Sequence, residues 1–147
     1  MDFDLLRDPR TDCCHLRIAG TLRLADYEQV FRTAWSRREY TEAKRALWEF
    51  TAARARFGKD EIKMLSGLIR DGTPRTAARA ATLAARRLAD FTRRERPSVL
   101  PARVALVAAQ DLDFGMMRVY AGHVAFDDVA TEVFRASEDA LGWLLGP

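Results

Sequence analysis

The sequence predicts a single α/β domain, and three observations lead to that fold class. Segments with the alternation or compact apolar character of strands recur between segments with helical spacing, in the order β-β-α-β-α-(α)-β-α-β-α. The run RVALVAA at 103–109 is almost continuously apolar, which is typical of a strand covered on both faces. A chain of 147 residues with 48% hydrophobic content can bury a core as one domain, 1–147. We therefore expect a largely parallel or mixed sheet flanked by helices.

The first half of the chain begins with a predicted hairpin. DFDLL near the start and CCHLRIAG at 13–20 are typical of strands, and the intervening RDPRTD is rich in turn-forming residues. An amphipathic helix over 24–36 follows, because helical spacing places six apolar residues on one arc: Leu24, Tyr27, Val30, Phe31, Ala34 and Trp35. RALWEFT at 45–51 then predicts a buried central strand, and DEIKMLSGLIRD at 60–71 predicts a helix.

The second half continues the alternation. After the strand at 103–109 we expect a helix over 114–124, a strand at TEVFR and a last helix at SEDALGWLL. Ser137 stands where an N-cap residue should, with Glu138 and Asp139 in the first turn, where acids interact favourably with the helix dipole. The tryptophans and neighbouring phenylalanines, namely Trp35, Trp48, Trp143, Phe31, Phe50 and Phe134, are predicted to pack the core rather than to form a ligand cage.

One segment interrupts the alternation, a predicted extra helix over about 75–95 that we call the arginine helix. Thr73 and Pro74 are typical of a helix start, and Pro97 ends the segment, so the insertion spans about 73–97. Residues 70–96 contain eight arginines against three acids, a local charge of +5, and the rest of the chain carries −2. One arc of the helix contains Arg75, Arg79, Arg86, Arg87, Arg93 and Arg94, and the opposite arc is alanine-rich with Leu88 and Phe91.

Two interpretations of this cationic face remain open. It is either a solvated surface or a binding face for an anionic partner, such as a phosphate-bearing ligand, a membrane surface or nucleic acid. Only Leu88 and Phe91 offer sizeable apolar area, which favours packing on the protein's own domain over membrane insertion. No aromatic residues interleave with the arginines and no zinc-finger spacing accompanies them, which disfavours nucleic acid. The candidate ligand-binding residues are Arg86, Arg87, Arg93 and Arg94.

The order of these elements resembles the SpoIIAA-like branch of the STAS superfamily, the bacterial STAS/Sec-fourteen-type small domains. The matching pieces are IAGTL, AWSRREY, ALWEFT, RVALVAAQDLDFGMMRVYAG and TEVFRASEDALGWL, and the resemblance spans roughly residues 1–70 and 101–145. It implies a mixed sheet of about four or five strands flanked by helices, with the arginine helix as an insertion. It also implies a protein without established enzymatic activity that acts by binding a protein partner or a small hydrophobic or anionic ligand.

One departure from this family limits what can be carried over. Anti-sigma-factor antagonists of the superfamily have a phosphorylatable Ser in the turn before the helix that follows the central strand. The corresponding stretch here is FGKDEIKML, in which Gly58, Lys59, Asp60 and Glu61 occupy the turn. We therefore expect no serine phosphoswitch.

No catalytic or cofactor motif is visible in the sequence. His15 and His123 have no Asp, Glu, His or Cys cluster at ligand spacing, so no metal site is predicted. The adjacent Cys13 and Cys14 should point to opposite faces of a strand, which favours core packing over a disulfide or a redox pair. No phosphate-binding glycine loop and no nucleophile elbow is present, so we expect a non-enzyme without a cofactor.

The loop before the 114–124 helix is the remaining candidate site. Asp113 is predicted to cap that helix, and a small enzyme using Asp111 and Asp113 is a weaker alternative. Gly115 suggests a close backbone approach to a neighbouring element or a ligand, and Arg118, one turn further, is placed either to bind an anion or to pair with an acidic neighbour on the surface. Both are candidate ligand-binding residues.

The sequence also indicates where the protein is located and how it assembles. No run approaches the length of about 18 apolar residues that a membrane span requires, and the acidic start MDFDLLRDPR is unlike an export signal, so a cytoplasmic protein is expected. A lipid-handling or anionic-membrane-surface protein that uses the arginine helix is the main alternative. A homodimer is a further expectation for a small domain with exposed sheet edges.

Overall fold

The sheet has five strands in the order β1-β2-β3-β4-β5. The computed structural model of the chain describes residues 1–55, 87, 90–123 and 128–147. The strands are β1 (Asp2–Asp8), β2 (Cys13–Leu22), β3 (Arg45–Ala55), β4 (Arg103–Val107) and β5 (Ala130–Phe134). β1 and β2 pair antiparallel, and the other neighbours pair parallel. The predicted hairpin and the predicted mixed sheet of an α/β fold are therefore confirmed.

Five helical segments accompany this sheet in the described part of the chain. They are α1 (Leu24–Trp35), α2 (Arg38–Thr41), α3 (residues 87 and 90–95), α4 (Asp111–His123) and α5 (Ser137–Leu145). α3 is the described part of the predicted arginine helix, and it ends before Pro97 as expected. The predicted helix at 60–71 lies outside the described residues. The sequence did not predict α2, because four residues are too few to show a helical period.

The sheet carries a hydrophobic core on each face. One core joins β-strand residues such as Cys14, Leu16 and Trp48 to residues of α1, α2, α3 and α4. The other joins Cys13, Leu47, Ala105 and Val107 to Ala140 and Leu144 of α5. Cys13 and Cys14 therefore lie on opposite faces of β2, as predicted, because successive strand residues alternate between the two faces.

Trp48 is the centre of the larger core. Its side chain is fully buried, its ring lies 4.7 Å from that of Phe31, and its indole N–H donates to the Tyr40 hydroxyl over 3.2 Å. Trp143 packs against Phe134 on the opposite face of the sheet, with ring centroids 5.8 Å apart. Because a β-sheet separates Trp48 from Trp143, the three tryptophans do not form one cage.

Both predicted helix caps need correction. α5 begins at Ser137, and its N-cap is Ala136, whose extended backbone has no capping side chain, so Ser137 is the first helical residue instead of the cap. α4 begins at Asp111, and the Phe114 N–H already donates to the Gln110 carbonyl over 2.8 Å. Asp113 is therefore a first-turn residue. The acids in the first turns of both helices still interact favourably with the helix dipole.

Candidate functional site

Within the described residues, Phe91 packs α3 on the rest of the domain. Phe91 is buried in the larger core and stacks on Trp35 of α1, with ring centroids 6.1 Å apart and an interplanar angle of 7°. The neighbouring Thr92 is also buried. The apolar side of α3 therefore packs on the protein's own domain, as the sequence indicated for Phe91, and its arginines lie on the other side.

Arg32 of α1 provides a second contact to α3. Its guanidinium carbon lies 5.1 Å from the centre of the Phe91 ring, and its Nη1 atom is 3.9 Å from Oε2 of Glu95. Each such exposed contact contributes only a few tenths of a kcal/mol to about 1 kcal/mol. The position of α3 on α1 therefore depends mainly on the buried Phe91, with Arg32 as a polar flank.

An open pocket of about 640 Å³ lies where α3 faces α1, and we call it the arginine pocket. Its described lining residues are Glu28 from α1 and Arg87, Asp90, Arg93 and Arg94 from α3. The structure thus brings together three of the four arginines that the sequence singled out. The fourth, Arg86, lies outside the described residues. Glu28 was not predicted as a neighbour of these arginines, because the sequence does not show which helix α3 faces.

Among the residues that the structure describes, the charges of the arginine pocket are only partly neutralised. Arg93 donates from Nη1 to Asp90 Oδ1 over 3.2 Å. Arg87 and Arg94 make neither an ion pair nor a hydrogen bond with the part of the chain that the structure describes, and both are exposed. An exposed guanidinium group that is not already in an ion pair can bind a carboxylate or phosphate with two parallel hydrogen bonds.

The loop after β4 is organised around Phe114. Arg135 donates to Oδ1 of Asp111 over 2.6 Å, and its guanidinium carbon lies 4.2 Å from the centre of the Phe114 ring. Arg118 approaches the same ring at 6.0 Å. Gly115 is half-buried and Arg118 exposed, and neither is among the described residues that line the arginine pocket. These two predicted binding residues therefore belong to a different part of the surface.

Asp111 and Asp113 have different environments. Asp111 is exposed and bound by Arg135, whereas Asp113 is 3% exposed and its charge acts on Tyr27 of α1. Burial, and then the negative charges of Asp113 and Asp26, raise the pKa of the Tyr27 hydroxyl. Because only one of the two carboxylates reaches solvent, they do not form an exposed acidic pair.

The sequence analysis did not predict a polar cluster that lies on the α5 side of the sheet. His15 Nε2 lies 2.7 Å from Oε2 of Glu49, Thr51 donates its hydroxyl to Oε1 over 3.0 Å, and Arg17 Nε is 3.7 Å away. Burial raises the pKa of Glu49, but the hydrogen bonds from His15 and Thr51 and the charge of Arg17 outweigh it, so the pKa lies below its ordinary value. The cluster depends on the β2–β3 register, which pairs Arg17 with Glu49.

Two further observations concern metals and membranes. Over the described ranges of the chain, no group of three or more His, Cys, Asp or Glu side chains is arranged to hold a metal ion. Within the same residues, every helix is too short or too polar to span a bilayer.

Among solved structures, the chain is similar to an uncharacterised protein of the DUF3478 family with a SpoIIAA-like fold from Shewanella loihica PV-4. The two are 20% identical, the similarity covers 97% of this chain and 92% of that one, and the TM-score is 0.46. No family model matches the chain. No curated protein matches it either. The fold class given above rests on the strand order and pairing of the sheet itself.

Proposed function

We propose that the protein is a non-catalytic binding domain, acting in the cytoplasm, whose ligand is an anionic small molecule held in the arginine pocket. The observation that carries this proposal is the convergence of Arg87, Arg93 and Arg94 on one pocket of about 640 Å³. That volume lies within the range of about 300–1,000 Å³ that is common for small-molecule sites. The binding role also agrees with what the resemblance to the SpoIIAA-like branch implies.

The lining indicates the chemistry of the ligand. Three arginines and two acids give the described lining a formal charge of +1, so one phosphate or carboxylate group is favoured over a polyanion. Arg87 and Arg94 supply the cations for it, while Arg93 is held by Asp90. Glu28 and Asp90 can accept hydrogen bonds from hydroxyl or amino groups on the same ligand. A small phosphate or carboxylate ester with hydrogen-bond donors fits this arrangement.

Calorimetric titration with inorganic phosphate and glycerol phosphate, and then with a panel of phosphorylated and carboxylated metabolites, tests the proposal. We expect the variant Arg87→Gln with Arg94→Gln to lose about tenfold or more in affinity, since a charged hydrogen bond contributes about 1.5–3 kcal/mol. Arg38→Gln is the matched control, because Arg38 is exposed and pairs with Glu42 outside the pocket. Equal affinity in the double variant and the control would overturn the assignment.

The same arginines favour one alternative, binding to an anionic membrane surface. Arg87, Arg93 and Arg94 are all exposed, as a lipid headgroup would require. Against it, Phe91 packs inside the domain and is not available for insertion. Sedimentation with phosphatidylglycerol and phosphatidylcholine vesicles distinguishes an anionic lipid headgroup from a soluble anion as the ligand. Binding that requires phosphatidylglycerol and is lost when Arg86, Arg87, Arg93 and Arg94 become Gln supports the membrane alternative, and binding of soluble anions alone supports the pocket.

The weaker alternative is a small enzyme that uses Asp111 and Asp113. The burial of Asp113 and the ion pair of Asp111 with Arg135 both count against it. Reproducible turnover of a metabolite that is abolished by Asp111→Asn, with the fold unchanged by circular dichroism, would favour the enzyme over the binding domain.

A further inference from the structure

The two walls of the arginine pocket have opposite charges. Its described lining consists of Arg87, Asp90, Arg93 and Arg94 from α3 and Glu28 from α1. Arg93 and Asp90 form an ion pair with 3.2 Å between Nη1 and Oδ1, so these two charges cancel. The α3 wall keeps a formal charge of +2, from Arg87 and Arg94, and the α1 wall carries −1, from Glu28. The described lining is therefore dipolar rather than uniformly cationic.

Glu28 has no cation of its own among the described residues. An arginine four residues further along a helix is the usual partner of a glutamate, and in α1 that position is Arg32. The Arg32 guanidinium instead lies 5.1 Å from the centre of the Phe91 ring, with Nη1 3.9 Å from Oε2 of Glu95. Glu28 is half-buried and makes neither an ion pair nor a hydrogen bond with the described part of the chain. Its carboxylate can therefore accept a cationic group from a ligand.

The negative charge of Glu28 determines which anions the pocket favours. A carboxylate in the wall repels a simple phosphate or carboxylate held by Arg87 and Arg94, and it lowers the affinity for such a ligand. A ligand that also has an ammonium group makes the same carboxylate an attractive partner, because hydrogen bonds between charged groups are the stronger ones. Glu28 therefore favours zwitterions over plain anions.

We propose that the arginine pocket selects ligands that have both a phosphate or carboxylate group and a primary ammonium group. This inference rests on the proposed function, because Arg87 and Arg94 must hold the anionic group. Glu28 then accepts hydrogen bonds from the ammonium group at the opposite wall and is the specificity-determining residue. Amino phosphates and amino acids are soluble ligands with this chemistry, and the headgroup of phosphatidylethanolamine has the same two groups.

Pairs of ligands that differ in one group test the inference. Phosphoethanolamine and hydroxyethyl phosphate share the phosphate and the chain length, but only the first has an ammonium group, and free glycine and glycolate are the corresponding carboxylate pair. In calorimetric titration we expect the ammonium member of at least one pair to bind about fivefold or more tightly than its hydroxyl counterpart, the effect of one charged hydrogen bond in an open pocket.

The variant Glu28→Gln assigns that preference to one residue. Gln keeps the size and the helix propensity of Glu, so the fold should be retained. We expect the variant to lose the preference and to bind hydroxyethyl phosphate at least as tightly as the wild type does, because a repulsive charge is removed. Glu39→Gln is the matched control, since Glu39 is an exposed acid of α2 outside the described lining and its substitution removes the same charge.

The possible outcomes separate this inference from the proposed function. Equal affinity of the wild type for both members of each pair, or a preference that survives Glu28→Gln, would overturn the inference and leave anion binding intact. If no member of either pair binds, the proposed function fails and the inference fails with it.

Vesicle sedimentation distinguishes a lipid headgroup from a soluble ligand. Phosphatidylcholine vesicles with and without phosphatidylethanolamine have the same net charge, but only the phosphatidylethanolamine headgroup has N–H donors. Pelleting that requires phosphatidylethanolamine and is lost in Glu28→Gln supports the headgroup as the ligand. Binding of phosphoethanolamine without pelleting supports a soluble amino phosphate.

Discussion

Phe91 and Trp35 join the arginine-bearing helix α3 to α1 through a nearly parallel ring stack, with an interplanar angle of 7°. The pocket has lining residues on both helices, Glu28 on α1 and four residues on α3. The relative position of these helices, and with it the geometry of the arginine pocket, depends on this apolar contact. We therefore expect anion binding in the arginine pocket to depend on the buried Phe91 ring as well as on the charged groups.

The first prediction follows from that dependence. Phe91→Ala should lower the free energy of unfolding by about 3–5 kcal/mol, the usual cost of removing a buried phenylalanine, and it should weaken anion binding in the same preparation. Urea unfolding followed by tryptophan fluorescence measures the first effect and calorimetry the second. Phe91→Leu keeps most of the apolar volume and should lose less of both. Full stability in Phe91→Ala would show that α3 is held by other contacts.

A second prediction concerns the end of α5. Arg103 of β4 donates to the carbonyl groups of Trp143 and Gly146 over 3.0 Å and to Pro147 over 3.2 Å. These carbonyls lie at or beyond the helix end, where no backbone N–H of the helix is available to them. Arg103→Ala should therefore lower the free energy of unfolding by about 1.5–3 kcal/mol, the range for hydrogen bonds from a charged donor.

The control for Arg103 is an arginine with an ideal but exposed ion pair. Arg38 lies 2.8 Å from Glu42 one helical turn away, and its side chain is 86% exposed. Arg38→Ala should change the stability by no more than about 0.5 kcal/mol, because exposed pairs of this spacing contribute little. Thermal and urea unfolding of both variants compares them. Equal losses in the two variants would show that Arg103 does not stabilise the end of α5 specifically.

Much of the fold could be predicted because its signals are local. Alternation predicted the hairpin strands, helical spacing predicted α1, and Pro97 predicted the end of the arginine helix. The boundaries were less accurate. α4 starts at Asp111 instead of the predicted Phe114, because a helix start depends on backbone hydrogen bonds and an acidic residue does not by itself mark the first helical position. β4 stops at Val107, before the predicted end at residue 109.

The candidate site was predictable only in part, and the reason is geometric. The sequence could identify Arg87, Arg93 and Arg94 as one helical face. It could not identify Glu28 as their neighbour, because that contact depends on how α3 packs against α1. The cluster of His15 and Glu49 was missed for a similar reason, since it forms across two strands whose register is set by the whole sheet.

A third prediction concerns acid stability. The hydrogen bond from Arg7 holds the pKa of Asp12 below its ordinary value of 3.8, against a smaller opposing effect of burial. A carboxyl whose pKa is lower in the folded state stabilises the protein above its unfolded pKa, and this stabilisation is lost as the pH falls through the folded pKa. The pKa of Glu49, with an ordinary value of 4.5, is also lowered. The urea midpoint should therefore fall as the pH is lowered from about 5 to about 3.

Asp12→Asn isolates one contribution to that acid effect. Asp12 has a positive φ of 50°, a conformation that Asn tolerates well, so the substitution removes the charge without straining the turn. The variant should lose about 1 kcal/mol at neutral pH and show a shallower loss of stability with acid. If the pH dependence of the variant equals that of the wild type, the ion pair with Arg7 is not its source.

The last prediction concerns the two thiols. Burial raises the pKa of Cys13 above its ordinary value and that of Cys14 to about 12, so little thiolate is present at neutral pH and neither sulfur is accessible. A thiol reagent such as dithionitrobenzoate should label the native protein at least about a hundredfold more slowly than the unfolded chain, where both thiols react. Fast labelling of one thiol under native conditions would identify a local opening of β2. If Cys13 reacts first, the opening involves α5, which covers that face, and if Cys14 reacts first, it involves the larger core.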